Sequence, residues 1–292
     1  MKAVFDVRVN THYDDNMGTR YHFPNKNLRA AEQCLGDWII YRETKRGGGR
    51  SAFVAVARLR AIEPDPNDVK SSYAMMEDFL EFDVVVPLDR NGIPYENILI
   101  DVDLAMRGIT LHGNPIRTIT DLEFMLILES GLPGGIIDGG ILYEPLQQEA
   151  NNARNAREIR QFLINRAIRD AAFRRKVISA YEGHCAMTGI RLEDSRGYFE
   201  AQAAHVRPVA DGGPDIVQNG IALCATMHWL FDRHVVSLTD NFEILGYDRL
   251  PRELRQLLVP PGEQVRLPRN PDDFPRLEFV QRHRERFNQG LV

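Results

Sequence analysis

The chain has 292 residues, 43% hydrophobic and 26% charged, which suits two domains of ordinary size or one large one and argues against global disorder. No apolar run reaches the length of a membrane span, and the opening MKAVFDVRVN lacks the apolar stretch of a secretory signal. The 36 basic and 41 acidic side chains leave a net charge of −5, which is not the global footprint of a nucleic-acid binder, although local patches matter more than the sum. The three cysteines, Cys34, Cys185 and Cys224, are odd in number and far apart, so no disulfide framework is expected and a reducing cytoplasm is the default.

Taken in chain order, residues 1–118 read as mostly β. DWIIY, SAFVAVARL and FDVVVPL are short apolar or β-branched runs bounded by turn residues. KRGGGRS suits a hairpin loop, and EPDPND suits another turn. Short strands and turns of this kind favour a small barrel over a βαβ sheet. TITDLEFMLILES predicts a helix capped by Thr120 or Asp121, with Leu122, Met125, Leu126 and Glu129 at helical spacing. Residues 119–152 hold this helix and then GLPGGIIDGG, whose five glycines and one proline start an interdomain connection.

A second domain is expected over 153–292. It opens on a long helix from about Asn152 to Glu182, ending at Gly183, with an apolar stripe at Ile159, Phe162, Leu163, Ala167, Ile168 and Ala171. The stretch Arg154–Lys176 carries eight basic and two acidic residues, either a solvated face or a surface for DNA contact or dimerisation. Then come a strand, YFEAQAAHV, the turn DGGPD, a strand, GIALC, and a short helix, MHWLFDR, with Thr226 a plausible cap. VVSLTDNFEILGY predicts a closing hairpin turning at Asp240-Asn241, and PRLEFVQRHRERF a last helix.

The strand–loop–strand–helix stretch places His205 at the end of its first strand, Asn219 before the second and His228 in the helix. These residue types suit phosphodiester hydrolysis. An imidazole is a good base near neutral pH, a second one on a rigid helix is a good metal ligand, and an amide can orient the first. Residue by residue, an ordinary turn with histidines on its rim explains the same letters.

Taken together, AAHVRP, DGGP, NGIALC and HWLFDR, with RDAAFRRKVISAYEGHCAMTG upstream, resemble the His-Asn-His (HNH) endonucleases with their ββα-metal fold, over roughly residues 166–245. The resemblance implies a hydrolase that uses a divalent metal, Mg²⁺ or Mn²⁺. His205 would be the general base, Asn219 would orient it and pin the loop, and His228 would bind the metal. Many relatives carry Asp or His just before the first histidine as a ligand, and here that residue is Ala204. Asp232, four residues after His228 on the same helical face, is the candidate second ligand. His234 stands where relatives often have glycine, and a structural role in left-handed backbone is expected. Some relatives hold zinc on four cysteines, whereas here Thr188 occupies one such position and Cys185 and Cys224 are expected to be buried thiols.

In the first half, GDWIIY followed by a basic glycine loop and AFVAVARL resembles the EVE branch of the PUA-like barrels. Such domains take a modified base into an aromatic pocket. The pocket candidates are Tyr21, Phe23, Trp38, Tyr41, Phe53 and Tyr73, each of which core packing alone would also explain. Three residues along a strand reverses the facing, so Trp38 and Tyr41 cannot both face the base. Lys45, Arg46 and Arg50 are candidates for phosphate contact. The expectation is therefore an α+β protein, an N-terminal EVE-like barrel joined to a ββα-metal nuclease. It would cut double-stranded DNA bearing 5-methyl- or 5-hydroxymethylcytosine as a homodimer in the cytoplasm, away from membranes. The alternatives are a nuclease reading RNA or unmodified DNA, and a non-catalytic reader.

Overall fold

Short runs of β-branched and aromatic residues within the first 119 positions build one sheet. The computed structural model describes residues 1–9, 16–46, 48–103, 105–132, 153–195 and 197–290, leaving aside the side chains of 153–157 and 159. The chain forms two units, Met1–Ile168 and Arg169–Val292. Most of GLPGGIIDGG, and with it the expected connection, lies outside the described residues. Among the described residues no helix is long and apolar enough to cross a membrane.

In the first unit the strands are β1 (Lys2–Val7), β2 (Arg20–Pro24), β3 (Trp38–Glu43), β4 (Ala52–Pro64), β5 (Ser71–Pro87) and, after a two-residue hairpin of β6 (Asp89–Arg90) and β7 (Ile93–Pro94), β8 (Ile116–Ile119). They form a six-stranded sheet of order β2-β5-β4-β3-β1-β8, antiparallel except for the β1–β3 pair. The β3–β4 and β4–β5 connections run through the expected turns. Register shifts interrupt β3–β4 at Tyr41/Arg42 and β4–β5 at three places. Bulges of this kind add local twist and bend the strand, so the sheet curls. β2 and β8 are its edges, and the expected barrel is a curled half-barrel.

Every residue of β3 is buried, which requires cover on both faces. One face carries Phe5, Tyr21, Phe23, Ile39, Tyr41 and Leu59 in a single cluster. The helix α3 (Asp121–Gly131), which follows the short helices α1 (Leu28–Glu32) and α2 (Arg107–His112), packs against β4 and β5. Thr120 is its cap: its hydroxyl accepts from the Glu123 backbone N–H, and the Glu123 carboxylate accepts from the Thr120 N–H. The helix buries Phe124, Ile127 and Leu128 and leaves Leu122 exposed. The expected stripe was therefore rotated, because the apolar residues of this segment run nearly all the way round and the buried side was chosen by the sheet.

Four charges are buried beside β1. Arg42 and Arg117 both pair with Asp6, and Arg117 also makes two bonds with Glu96 at 2.8 and 2.9 Å. Burial alone would lower the Arg117 pKa, but Glu96 and then Asp6 hold it above the usual guanidinium value.

The long helix α4 (Ala153–Ala180) begins in the first unit and ends in the second. It buries Ile164, Ala167, Ile168, Ala171, Phe173 and Val177, whereas Phe162, placed on the expected stripe, is exposed. Past it, β9 (Gln202–His205) and β10 (Gly220–Leu223) pair antiparallel, and α5 (Ala225–Asp232) follows at once. The residue at the cap of α5 is Cys224, not Thr226, with the Glu200 carboxylate accepting from the Ala225 N–H at 2.9 Å. The closing hairpin pairs β11 (Ser237–Leu238) with β12 (Ile244–Leu245), and after α6 (Arg252–Arg255) the helix α7 (Leu277–Gln289) ends the unit. Val177, Tyr181, Ala204, Val206, Ile221, Leu223, Phe231 and Phe279 share its core.

His234 adopts φ +54° just past α5, the left-handed geometry expected of it. Its Nδ1 lies 3.1 Å from Nε2 of His283. His283 is buried, stacks on Phe231 and bonds Ser237 and the Phe231 carbonyl. Burial pushes its pKa down to about 4, so it is neutral at physiological pH.

Candidate functional site

The β9–β10 register sets Gly220 opposite His205 and Ile221 opposite Ala204. Side chains alternate along a strand. Ala204 is wholly buried in the core of the second unit, and His205 points away from it, 21% exposed. The His205 ring lies flat on Phe173 of α4, with centroids 3.9 Å apart and planes within 7°. Its Nε2 is 2.8 Å from Oδ1 of Asp215, and Oδ2 of Asp215 is 2.6 Å from Nε of Arg169, one helical turn before Phe173. A carboxylate accepts only, so Nε2 carries the proton. In the neutral ring this leaves the lone pair on Nδ1, the form a general base requires.

This seating needs α4 close to the hairpin. A Cβ on Gly220 would lie 2.3 Å from Val177 and 3.1 Å from Phe173, so any other residue there would push away the helix that carries the His205 ring.

Asn219 is completely buried. Its Oδ1 accepts from the Arg207 N–H at 2.8 Å, and its Nδ2 donates to the carbonyls of Arg207 and Pro214 at 3.0 and 2.9 Å. Its own carbonyl accepts from the Val206 N–H. The amide therefore spends its bonds on the loop main chain. It places His205 through Val206 and Arg207, while Asp215 orients the ring. Gly213 lies inside this clamp, where a Cβ would sit 1.9 Å from the Arg207 carbonyl oxygen.

On α5, His228 Nδ1 lies 2.8 Å from Oε1 of Gln202, and its Nε2 lies 3.2 Å from Oδ2 of Asp232. An amide oxygen accepts, so Nδ1 is protonated. In the neutral ring a lone pair on Nε2 then faces a carboxylate oxygen, an arrangement that could hold a cation, whereas a protonated ring would make the contact an i,i+4 ion pair. Two cis ligands of a six-coordinate Mg²⁺-sized ion with bonds of about 2.1 Å are about 3 Å apart, so the pair fits such an ion. Among the described residues no three His, Cys, Asp or Glu side chains converge as a ligand set. Two protein ligands with water completing the shell suit Mg²⁺, which dehydrates reluctantly. Ala204, packed in the core, supplies no ligand.

Asp215, Arg169, Phe173 and Gln202 were not among the residues singled out from sequence. Asp215 closes the DGGPD turn. Arg169 and Phe173 are i,i+4 neighbours on a helix whose arginines masked them. Gln202 is an unremarkable polar residue until the strand and helix meet. Cys185 is buried and Cys224 half-buried, and their thiols are hydrogen-bonded to each other.

The six aromatic candidates of the first unit do not converge. Tyr21, Phe23 and Tyr41 lie in one core cluster, with Tyr21 and Tyr41 centroids 6.4 Å apart. Trp38 donates to Asn165 at 2.8 Å, and Phe53 meets Tyr95 edge-on. Five of the six are buried. Tyr73 is half-buried, 4.8 Å from the His22 ring, with the Arg20 guanidinium 5.3 Å from its centroid. Among the basic candidates Lys45 and Arg46 are exposed, while Arg50 is bound to Glu43 at 2.8 and 2.9 Å.

The second unit thus presents a β-hairpin and a helix, with one imidazole on a strand and another on the helix. Residues 185–239 match the family described as HNH endonuclease, and the chain carries an HNH nuclease domain there. A search of curated proteins finds no match. Among solved structures, the chain is similar to a modification-dependent restriction endonuclease, TagI, at 14% identity, over 96% of this chain and 80% of that one, with a TM-score of 0.34. It is also similar to Rpa0253 from Rhodopseudomonas palustris, at 15% identity, over 49% and 98%, TM-score 0.33. A third is the type IV phosphorothioation-dependent restriction endonuclease ScoMcrA, at 16% identity, over 98% of this chain and 53% of that one, TM-score 0.23.

Proposed function

We propose that this protein is a divalent-metal-dependent DNA endonuclease whose first unit directs cutting to DNA carrying modified cytosine. The observation that carries the nuclease half is that the family-matched segment holds two imidazoles, each oriented by its own hydrogen-bond partner. His205 has Nδ1 left basic by the Asp215 bond, and His228 has Nε2 turned to Asp232.

In this reading His205 Nδ1 takes a proton from water, and the water oxygen bonds to phosphorus as the bond to the leaving sugar oxygen breaks. Asp215 stabilises the imidazolium that forms, and Arg169 holds Asp215 in place. His228 and Asp232 would hold the ion, Mg²⁺ or Mn²⁺, and Gln202 fixes the tautomer that His228 needs. Such an ion, when bound, supplies positive charge against the charge building on phosphate and leaving oxygen.

For substrate choice we infer that the first unit reads 5-methyl- or 5-hydroxymethylcytosine flipped from the duplex. Unstacking costs a few kcal/mol, which base contacts in a pocket offset. The EVE-like motifs support this reading. The half-buried Tyr73, flanked by Arg20 and His22, is the member of the aromatic set best suited to contact a base. Cutting both strands takes two sites, and we propose a homodimer.

A digest of matched plasmids, with and without cytosine modification and with and without EDTA, tests these claims together. The expected result is metal-dependent linear product from the modified plasmid alone. Equal cutting of both plasmids would remove the modification dependence, and nicked circles without linear product would argue for a monomer.

A further inference from the structure

The helix α5 carries two adjacent i,i+4 pairs. One is His228 with Asp232, and the other is Trp229 with Arg233. The second pair has no place in the hydrolytic chemistry above. Trp229 is 52% exposed, whereas the residues of α5 that build the core are Met227, Leu230 and Phe231. The Arg233 guanidinium lies 4.4 Å from the centroid of the indole. The result is an aromatic surface edged by a fixed cation, a combination that suits nucleic acid because an indole stacks on any base or packs on sugar while a guanidinium binds phosphate. Consecutive helical residues are 1.5 Å apart along the axis and about 100° apart around it. Trp229 therefore stands immediately beside His228.

We propose that Trp229 and Arg233 form a DNA-binding subsite for the nucleotide next to the scissile phosphate. The indole packs against its base or deoxyribose, and the guanidinium against its phosphate. The inference rests on the nuclease reading and adds a contact to it. It also gives a role to an exposed tryptophan that the core of the second unit does not need.

The test uses the full-length protein and a duplex that the wild type cuts. Trp229→Ala is expected to lower kcat/KM about 10-fold, chiefly through KM. Trp229→Phe should recover most of that loss, and Arg233→Gln should weaken binding and flatten its dependence on salt. A second readout is tryptophan fluorescence, because the wild type should be quenched by duplex without metal and Trp229→Phe should lose that quench. Thermal melting checks that Trp229→Ala is folded, and if it is not, Trp229→Phe fluorescence and Arg233→Gln kinetics carry the test. Wild-type KM in Trp229→Ala, or an undiminished quench in Trp229→Phe, overturns the subsite while leaving the nuclease standing. A wild type that neither cuts nor binds DNA overturns both.

Discussion

Replacing His205 by alanine is expected to lower metal-dependent nicking by about 10²- to 10⁴-fold, the usual range for loss of a positioned general base. The fold should survive, because His205 is partly exposed and its neighbour Ala204, not His205, belongs to the core. Asp215→Asn should give a milder defect. An amide can still bond Nε2, but it removes the negative charge that offsets the imidazolium. It also permits the wrong tautomer, in which Nε2 accepts and Nδ1 carries the proton. A side-by-side nicking assay orders the two variants, since Asp215→Asn should retain more activity than His205→Ala. Undiminished nicking by His205→Ala would end the assignment of this residue as the base.

The second large effect is on stability. Glu96→Ala is expected to destabilise the first unit by about 3–5 kcal/mol, the cost of leaving a buried charge without its partner. Glu96 and Arg117 are 1% and 5% exposed at the side chain, and Arg117 would retain its share of Asp6 and its bond to the Asn114 carbonyl, with no carboxylate of its own. Arginine cannot relieve the burial by giving up its proton. Replacing the pair together, Glu96→Leu with Arg117→Met, should cost much less than Glu96→Ala, since two matched apolar groups leave no orphaned charge. Denaturant unfolding followed by circular dichroism measures both. A Glu96→Ala loss below about 1 kcal/mol would mean that water reaches the network.

Local chemistry made much of this molecule legible in the sequence. Strands β3 and β4, the loop between them, the Thr120 cap and the β9–loop–β10–α5 order follow from turn residues, β-branching and capping, all of which act over a few positions. Facing was harder. Leu122 and Phe162 kept helical spacing yet lie exposed, because spacing fixes a stripe only up to rotation and the partner surface chooses among stripes. The site shows the same division. His205, Asn219, His228 and Asp232 could be picked by residue type, but the Asp215 and Gln202 bonds exist only once β9, its loop and α5 have come together. Asn219 is expected to orient the base and pin the loop; its side-chain bonds go to the loop main chain of Arg207 and Pro214, and Asp215 holds the His205 ring.

The Asn219 clamp also has a kinetic consequence. It closes a 12-residue separation to Arg207, and loops of about this size close in roughly 10–100 ns. The half-barrel of the first unit must instead bring Phe5 beside Ile116 before β1 has both neighbours, and such long-range pairing is slow. The hydrolytic hairpin should thus be assembled while the first sheet is still searching for its edge. Refolding followed through Trp38 should lag behind refolding followed through Trp229, and the loop that seats the proposed base would then be set before the part proposed to direct cutting.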